Sequence, residues 1–173
     1  AGQGTAGLEL WEDKSDLDVV LVPVGGGGLI SGIALALKSL NPKVRVVGVQ
    51  SKASPVMYES IKQGKIVEIP IDESIAEGLH GGIEKGSVTF NLVKELVDDI
   101  LLVEEKDIKT AILLFLEHQH QVIEGAGAVG LAALLKQKER FKGQKAGVVV
   151  SGGNIDISLM RKLLCKREEE RDY

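Results

Sequence analysis

The run Val19-Val20-Leu21-Val22-Pro23-Val24-Gly25-Gly26-Gly27-Gly28-Leu29-Ile30-Ser31-Gly32 decides how the rest of the chain is read. It describes a buried strand that enters four glycines and leaves them as a helix. Successive residues without a Cβ let the backbone pass through positive φ and bring several N–H groups onto one bound group. Ile30, Ile33, Ala34 and Leu37 recur at i, i+3, i+4 and i+7, so the helix packs one face on a core and aims its positive N-terminal end at the same spot. The stretch is therefore built to hold an anion, and a phosphate is the favoured ligand. A tight turn alone would need one or two glycines, not four.

Spacing removes two familiar phosphate sites. A P-loop is absent because no Gly-Lys-Ser/Thr follows the glycines. The dinucleotide fingerprint G-x-G-x-x-G/A fails because counting from Gly25 puts Ile30 in its last place, and counting from Gly26 puts Ser31 there. The acidic residue that should end the next strand and hold a ribose is replaced by Gln50.

A chain of 173 residues can form one domain. With 44% hydrophobic and 27% charged residues it has ordinary globular composition, and only 3% aromatics leaves little for stacking on bases. The net charge of −4 is not offset by any basic run, so nucleic acid and anionic membrane are poor partners. A lone Cys165 can form neither an intrachain disulfide nor a cysteine metal cage, and the apolar runs fall short of a membrane span. A cytoplasmic location is expected. The chain starts at Ala1 with no Met and no signal-like segment, already inside a structured pattern, which predicts a fragment.

Residues 2–15 predict a helix with Thr5 as its cap and Leu8 and Trp11 on one side. After the tetraglycine helix, stopped by Asn41-Pro42, the run 44–49 is a buried strand. Ser54-Pro55 predicts a helix opened by an N-cap and an N1 proline and closed by Gly64. Residues 66–71 alternate as an edge strand would, and residues 72–86, which contain Glu77-Gly78-Leu79-His80-Gly81-Gly82, form a surface loop near the site. Ser87 opens a further helix, residues 99–103 form a buried strand, and Glu104-Glu105 place negative charge at the start of a long helix striped with Ile108, Ala111, Ile112, Phe115 and Leu116. Glu124-Gly125-Ala126-Gly127-Ala128 opens a helix of small residues that can lie very close to a sheet or a cofactor. Val148-Val149-Val150 is a last buried strand running into Ser151-Gly152-Gly153-Asn154, and after a final helix residues 166–173 form a solvated, mixed-charge tail.

Continuous apolar strands alternating with helices mark an α/β fold, a parallel sheet flanked by helices with its ligand at the carboxyl ends of the strands. If the two glycine-rich strand ends are neighbours, one cradles a phosphate and the other presents the Ser151 hydroxyl and the Asn154 amide. A ligand with a phosphate at one end and a weakly basic heteroatom at the other fits that pair, and pyridoxal phosphate has this shape.

The segments Gly2-Gln3-Gly4-Thr5, Pro23-Val24-Gly25-Gly26-Gly27-Gly28-Leu29, Ile75-Ala76-Glu77-Gly78, Glu124-Gly125-Ala126-Gly127 and Ser151-Gly152-Gly153-Asn154, in this order, resemble the serine/threonine dehydratases among the fold type II pyridoxal-phosphate enzymes. The resemblance spans about residues 1–160. Val47-Gly48-Val49-Gln50-Ser51 and Asn154-Ile155-Asp156 resemble the catabolic threonine dehydratases in particular. It implies a tryptophan synthase β-like large-domain portion, residues 1–165, as the C-terminal part of the catalytic domain. The amides of Gly25, Gly26, Gly27, Gly28 and Leu29 would bind the phosphate of pyridoxal 5'-phosphate. Ser151 would hydrogen-bond the pyridine nitrogen, Gly78 would lie beside the ring, Asn154 would stand on the same loop as Ser151, and Glu124 would approach the cofactor face or else serve only as a charge at a helix start. A serine cannot hold a pyridinium as an aspartate would, so the ring is a weaker electron sink, which suits β-elimination better than a long-lived carbanion.

The implied substrate is an amino acid, threonine or serine, converted to a 2-oxo acid and ammonia. Serine racemisation and β-replacement are the alternatives within the fold, and a non-catalytic phosphate-binding module is the alternative outside it. Where the racemase branch carries a cation-binding carboxylate this chain has Gln50, so no metal site is expected. His118 and His120 read as surface residues, His80 lies in the cofactor-side loop, and Glu9 and Asp156 have only helix or turn roles. The lysine that bonds to the cofactor and the loop that grips the substrate carboxylate belong, by the resemblance, to an N-terminal half not in this sequence. The chain alone is therefore expected to be inactive, to need that half as its partner, and to work in a homo-oligomer.

Overall fold

The computed structural model describes residues 2–169, with side chains through residue 165. Four parallel strands, β1 (Val19–Pro23), β2 (Arg45–Ser51), β3 (Asp99–Val103) and β4 (Ala146–Val148), form one sheet in the order β3-β2-β1-β4. Among the described residues seven α-helices accompany them: α1 (Gly4–Asp13), α2 (Gly28–Leu40), α3 (Val56–Gln63), α4 (Val88–Leu96), α5 (Glu105–Gln119), α6 (Gly125–Lys136) and α7 (Ile157–Glu169).

The uninterrupted apolar strands are explained by burial on both faces. Val20, Val22 and Val24 join Val46 and Ile100 under α2 and α4. Val19 and Leu21 join Val47, Val49, Leu101 and Val103 under α5 and α6. The predicted stripe of α2, Ile30, Ile33, Ala34 and Leu37, is fully buried. The small residues of α6 bring it close to the sheet as expected: a Cβ on Gly130 would stand 2.9 Å from Val148 Cγ1. In α5 only Ile108, Ala111 and Ile112 of the stripe are buried. Phe115 borders an apolar groove with Leu114, Leu131 and Leu135.

Several local expectations are corrected. Thr5 does not cap α1. Gln3 holds that position, and the Thr5 hydroxyl bonds the Gly2 carbonyl at 2.9 Å. Leu8 is 45% exposed, and α1 instead turns Leu10 and Trp11 toward the core. Pro55, not Ser54, is the residue before α3, because the Ser54 hydroxyl is taken by the Gly81 N–H. Gly64 closes α3 in the left-handed conformation, as expected. Residues 66–71 form no strand, because their backbone bonds elsewhere than to the sheet: the Val67 N–H goes to Ser60 Oγ and, just beyond the segment, the Asp72 N–H goes to the Ala53 carbonyl. The last strand runs from Ala146 to Val148 and is only half-buried, with Val150 exposed at its end. Helix α7 continues to Glu169 through the start of the expected tail, and the solvation of that tail falls outside the described residues. Among the described residues no helix is long and apolar enough to cross a membrane.

Candidate functional site

The two glycine-rich strand ends are neighbours. Leu21 of β1 pairs with Val148 of β4, and the Val149 N–H continues the pairing to the Leu21 carbonyl at 2.9 Å. The chain leaves β1 into α2 on one face of the sheet and leaves β4 toward α7 on the other. A crevice opens where connections part in this way, at the carboxyl ends of the strands, and ligands of open parallel sheets bind there.

The four glycines are not equivalent. A Cβ on Gly25 would meet Leu79 Cα at 3.2 Å, and one on Gly27 would meet Met57 Cε at 2.9 Å and Thr89 Cβ at 3.2 Å, with Gly27 also at φ 86°. Packing and backbone conformation require glycine at these two positions. Gly26 and Gly28 are exposed, have no left-handed φ, and would meet nothing within 4 Å. Their missing side chains leave an open cradle. Among the described residues no acceptor takes the N–H of Gly25, Gly26 or Gly27, and the first helical bond of α2 runs from Ser31 N–H to the Gly27 carbonyl. Those amides, with the free amides of the first turn of α2, suit a phosphate.

A second wall comes from the loop before and after a short 3₁₀ turn at Glu77–Leu79. The Gly78 carbonyl lies 3.4 Å from the Cβ position of Gly25, and a Cβ on Gly78 would touch Ala126 Cβ of α6 at 3.2 Å. Gly125 packs so tightly against the Ile75 carbonyl that any side chain there would collide with it. Glu105 holds this loop from the first turn of α5. One of its carboxylate oxygens accepts the hydroxyls of Ser51 at 2.6 Å and Ser74 at 2.7 Å, and the other accepts the Ile75 N–H at 2.8 Å. In the sequence Glu105 reads only as a charge at a helix start, because its three partners lie too far along the chain for any local pattern to announce them.

Glu124 precedes α6, yet its side chain makes no capping hydrogen bond there. The carboxylate lies against Gly152, and the Glu124 N–H bonds the Gly152 carbonyl at 3.1 Å. Gly78, Glu124 and Asn154 line one small pocket together with Glu77 and Asp156. Ser151 and Asn154 are exposed, and no hydrogen bond among the described residues engages either side chain. Asp156 has the turn role expected of it. Its carboxylate accepts the N–H groups of Ser158 at 2.7 Å and Leu159 at 3.1 Å, and hydrogen bonding at Ser158 foremost holds it below the usual carboxylate range.

The histidines lie outside this group. His80 is exposed beside Glu73, Ser74 and Glu77, while His118 and His120 are exposed at the end of α5. Gln50 is buried, and its side-chain Oε1 accepts the Tyr58 N–H at 2.8 Å. At the start of α5, Glu104 is pushed down to about 2, first by its hydrogen bond from Lys52, then by Lys106 and Lys136. Lys136 is raised above its ordinary value, chiefly by Asp107 at 2.5 Å.

The site thus offers amides for a phosphate at one strand end, and a free hydroxyl and amide at the neighbouring end. The family described as pyridoxal-phosphate dependent enzyme matches residues 1–152. An L-threonine ammonia-lyase of Thermotoga maritima is 47% identical over 167 residues, covering 96% of this chain and 41% of that protein. The catabolic L-threonine dehydratase of Escherichia coli K12 is 44% identical over 165 residues, 94% of this chain and 50% of that protein. Maize serine racemase has a structure that superposes with a TM-score of 0.85 at 38% identity, over 96% of this chain and 52% of that one. The chain spans about half the length of the relatives it matches. With its parallel sheet, its glycine cradle and these likenesses, the chain belongs to the pyridoxal-phosphate dependent enzymes of fold type II, whose cofactor is pyridoxal 5'-phosphate.

Proposed function

We propose that this chain is the C-terminal part of the catalytic domain, residues 1–165, of an enzyme that deaminates threonine or serine to a 2-oxo acid and ammonia. The observation that carries the reading is the open cradle at Gly26 and Gly28, where packing does not require glycine but an approaching phosphate does. The likeness to threonine ammonia-lyases at 44–47% identity supports the substrate class.

The amides of Gly25, Gly26, Gly27, Gly28 and Leu29 hold the phosphate, aided by the positive end of α2. Ser151 would offer the pyridine nitrogen a neutral hydroxyl in place of a carboxylate. Gly78 would leave room beside the ring, and Glu124, in the same pocket and against Gly152, would approach the cofactor face. Asn154 stands in the same pocket as Gly78 and Glu124. Bound pyridoxal 5'-phosphate supplies an electron-withdrawing ring that eases removal of the Cα proton as the β-hydroxyl leaves. The covalent lysine and the grip on the substrate carboxylate come from the N-terminal half, and the working enzyme is a cytoplasmic homo-oligomer.

The test is to incubate the full-length protein with L-threonine and L-serine and to assay 2-oxo acid, ammonia and D-serine. Stoichiometric 2-oxo acid and ammonia from L-threonine are expected. D-serine without ammonia would support the racemase reading, and no reaction with either amino acid would contradict both.

A further inference from the structure

We propose that Thr89, which belongs to none of the glycine-rich segments, is a positioning residue that fixes the direction of the Gly27 N–H in the phosphate cradle. The inference rests on reading residues 25–29 as that cradle. Thr89 stands in the first turn of α4, and its hydroxyl lies 2.6 Å from the Gly26 carbonyl. A carbonyl oxygen only accepts, so Thr89 donates its single hydroxyl proton there. The Ser87 hydroxyl, 2.7 Å from Thr89 Oγ1, must then be the donor in that contact, and the relay runs Ser87 to Thr89 to Gly26.

The Gly26 carbonyl and the Gly27 N–H belong to one planar, trans peptide, so they point in opposite directions. Tying the oxygen to α4 aims the N–H away from α4, where no described residue accepts it. A peptide between two glycines has little steric preference of its own and can rotate cheaply. The Thr89 hydroxyl removes that freedom before the anion arrives. The start of α4 is itself latched to α2, because the Ser31 hydroxyl reaches the Thr89 carbonyl at 3.5 Å. The hydroxyl acts on the phosphate only through the peptide it orients.

The test compares binding of pyridoxal 5'-phosphate with binding of pyridoxal, which lacks the phosphate, in the full-length protein and its T89S and T89V variants, together with the ³¹P resonance of the bound cofactor. T89S should match the parent in all three. T89V should bind pyridoxal 5'-phosphate about tenfold more weakly, bind pyridoxal unchanged, and shift the ³¹P resonance. If T89V does not fold, T89A against T89S isolates the same hydroxyl. Unchanged affinity for pyridoxal 5'-phosphate on loss of the hydroxyl, or equal losses for both ligands, would overturn the proposal. A parent protein that binds the two ligands equally would overturn the cradle reading and the proposal with it.

Discussion

Glu105 and Ile75 are separated by 29 intervening residues, yet a carboxylate oxygen of the first accepts the backbone N–H of the second at 2.8 Å. The same carboxylate ties the end of β2 to the loop through Ser51 and Ser74. Replacing it by Ala leaves two hydroxyls and an N–H without their acceptor. We expect Glu105→Ala to lower stability by about 2–3 kcal/mol and to raise amide exchange across residues 74–79 before the rest of the sheet. Hydrogen exchange read residue by residue checks this, and uniform exchange throughout would argue against a local anchor.

The approach of Gly125 to the Ile75 carbonyl fixes the other side of that loop. Gly125→Ala improves helix propensity but drives a methyl into backbone atoms that have no rotamer to escape by. Denaturant unfolding should show a net loss of about 1–3 kcal/mol. A stabilised variant would mean that α6 does not pack there.

Acid should weaken the junction of β2, α5 and α6. The Glu104 carboxyl sits at about 2 in the folded chain against an ordinary 4.5, because Lys52, Lys106 and Lys136 surround it. A depressed folded value means that its contribution is complete above about 4.5 and is lost as pH falls toward 2. Urea midpoints across this window should slope downward, and Glu104→Gln should flatten the slope. The group is exposed, so added salt should flatten it too. Lys136 works in the opposite sense: its value is raised, so its contribution is complete below 10.5 and is lost as pH rises above that.

Ser151 is exposed and bonds to nothing described, so the fold has no use for its hydroxyl. Ser151→Ala should leave the unfolding free energy within about 0.5 kcal/mol of the parent, while the absorption spectrum of bound pyridoxal 5'-phosphate changes. An unchanged spectrum would remove Ser151 from the site.

How much of this was legible in the sequence follows from the range of the interactions. The stripe of α2 and the ends of β3 depend on periodicity over a few residues, and both stand where the sequence places them. The site glycines were found because short motifs carry them in order. Glu105 and Thr89 escape the sequence because Ser51, Ser74, Ile75 and Gly26, the groups they hold, lie 30 to 63 positions away, which no window sees. The expected strand at residues 66–71 fails for a similar reason: alternation is local, but a strand must also pair, and here the Val67 N–H bonds Ser60 Oγ instead. Val148, read as the start of the last strand, is its end. The run of valines outlasts the strand: Val149 still gives its N–H to the Leu21 carbonyl, and Val150 beyond it is exposed.

The most direct test of the central claim is a titration of pyridoxal 5'-phosphate into the full-length protein and its Gly26→Ala, Gly28→Ala and Gly27→Ala variants, with the melting temperature of each. Gly27→Ala should melt lower, because of Met57 and the φ of 86°. Gly26→Ala and Gly28→Ala should melt like the parent but bind the cofactor at least about tenfold more weakly, a loss of about 1.4 kcal/mol. Full cofactor affinity in both of those variants would contradict the central claim, leaving the four glycines as nothing more than a turn.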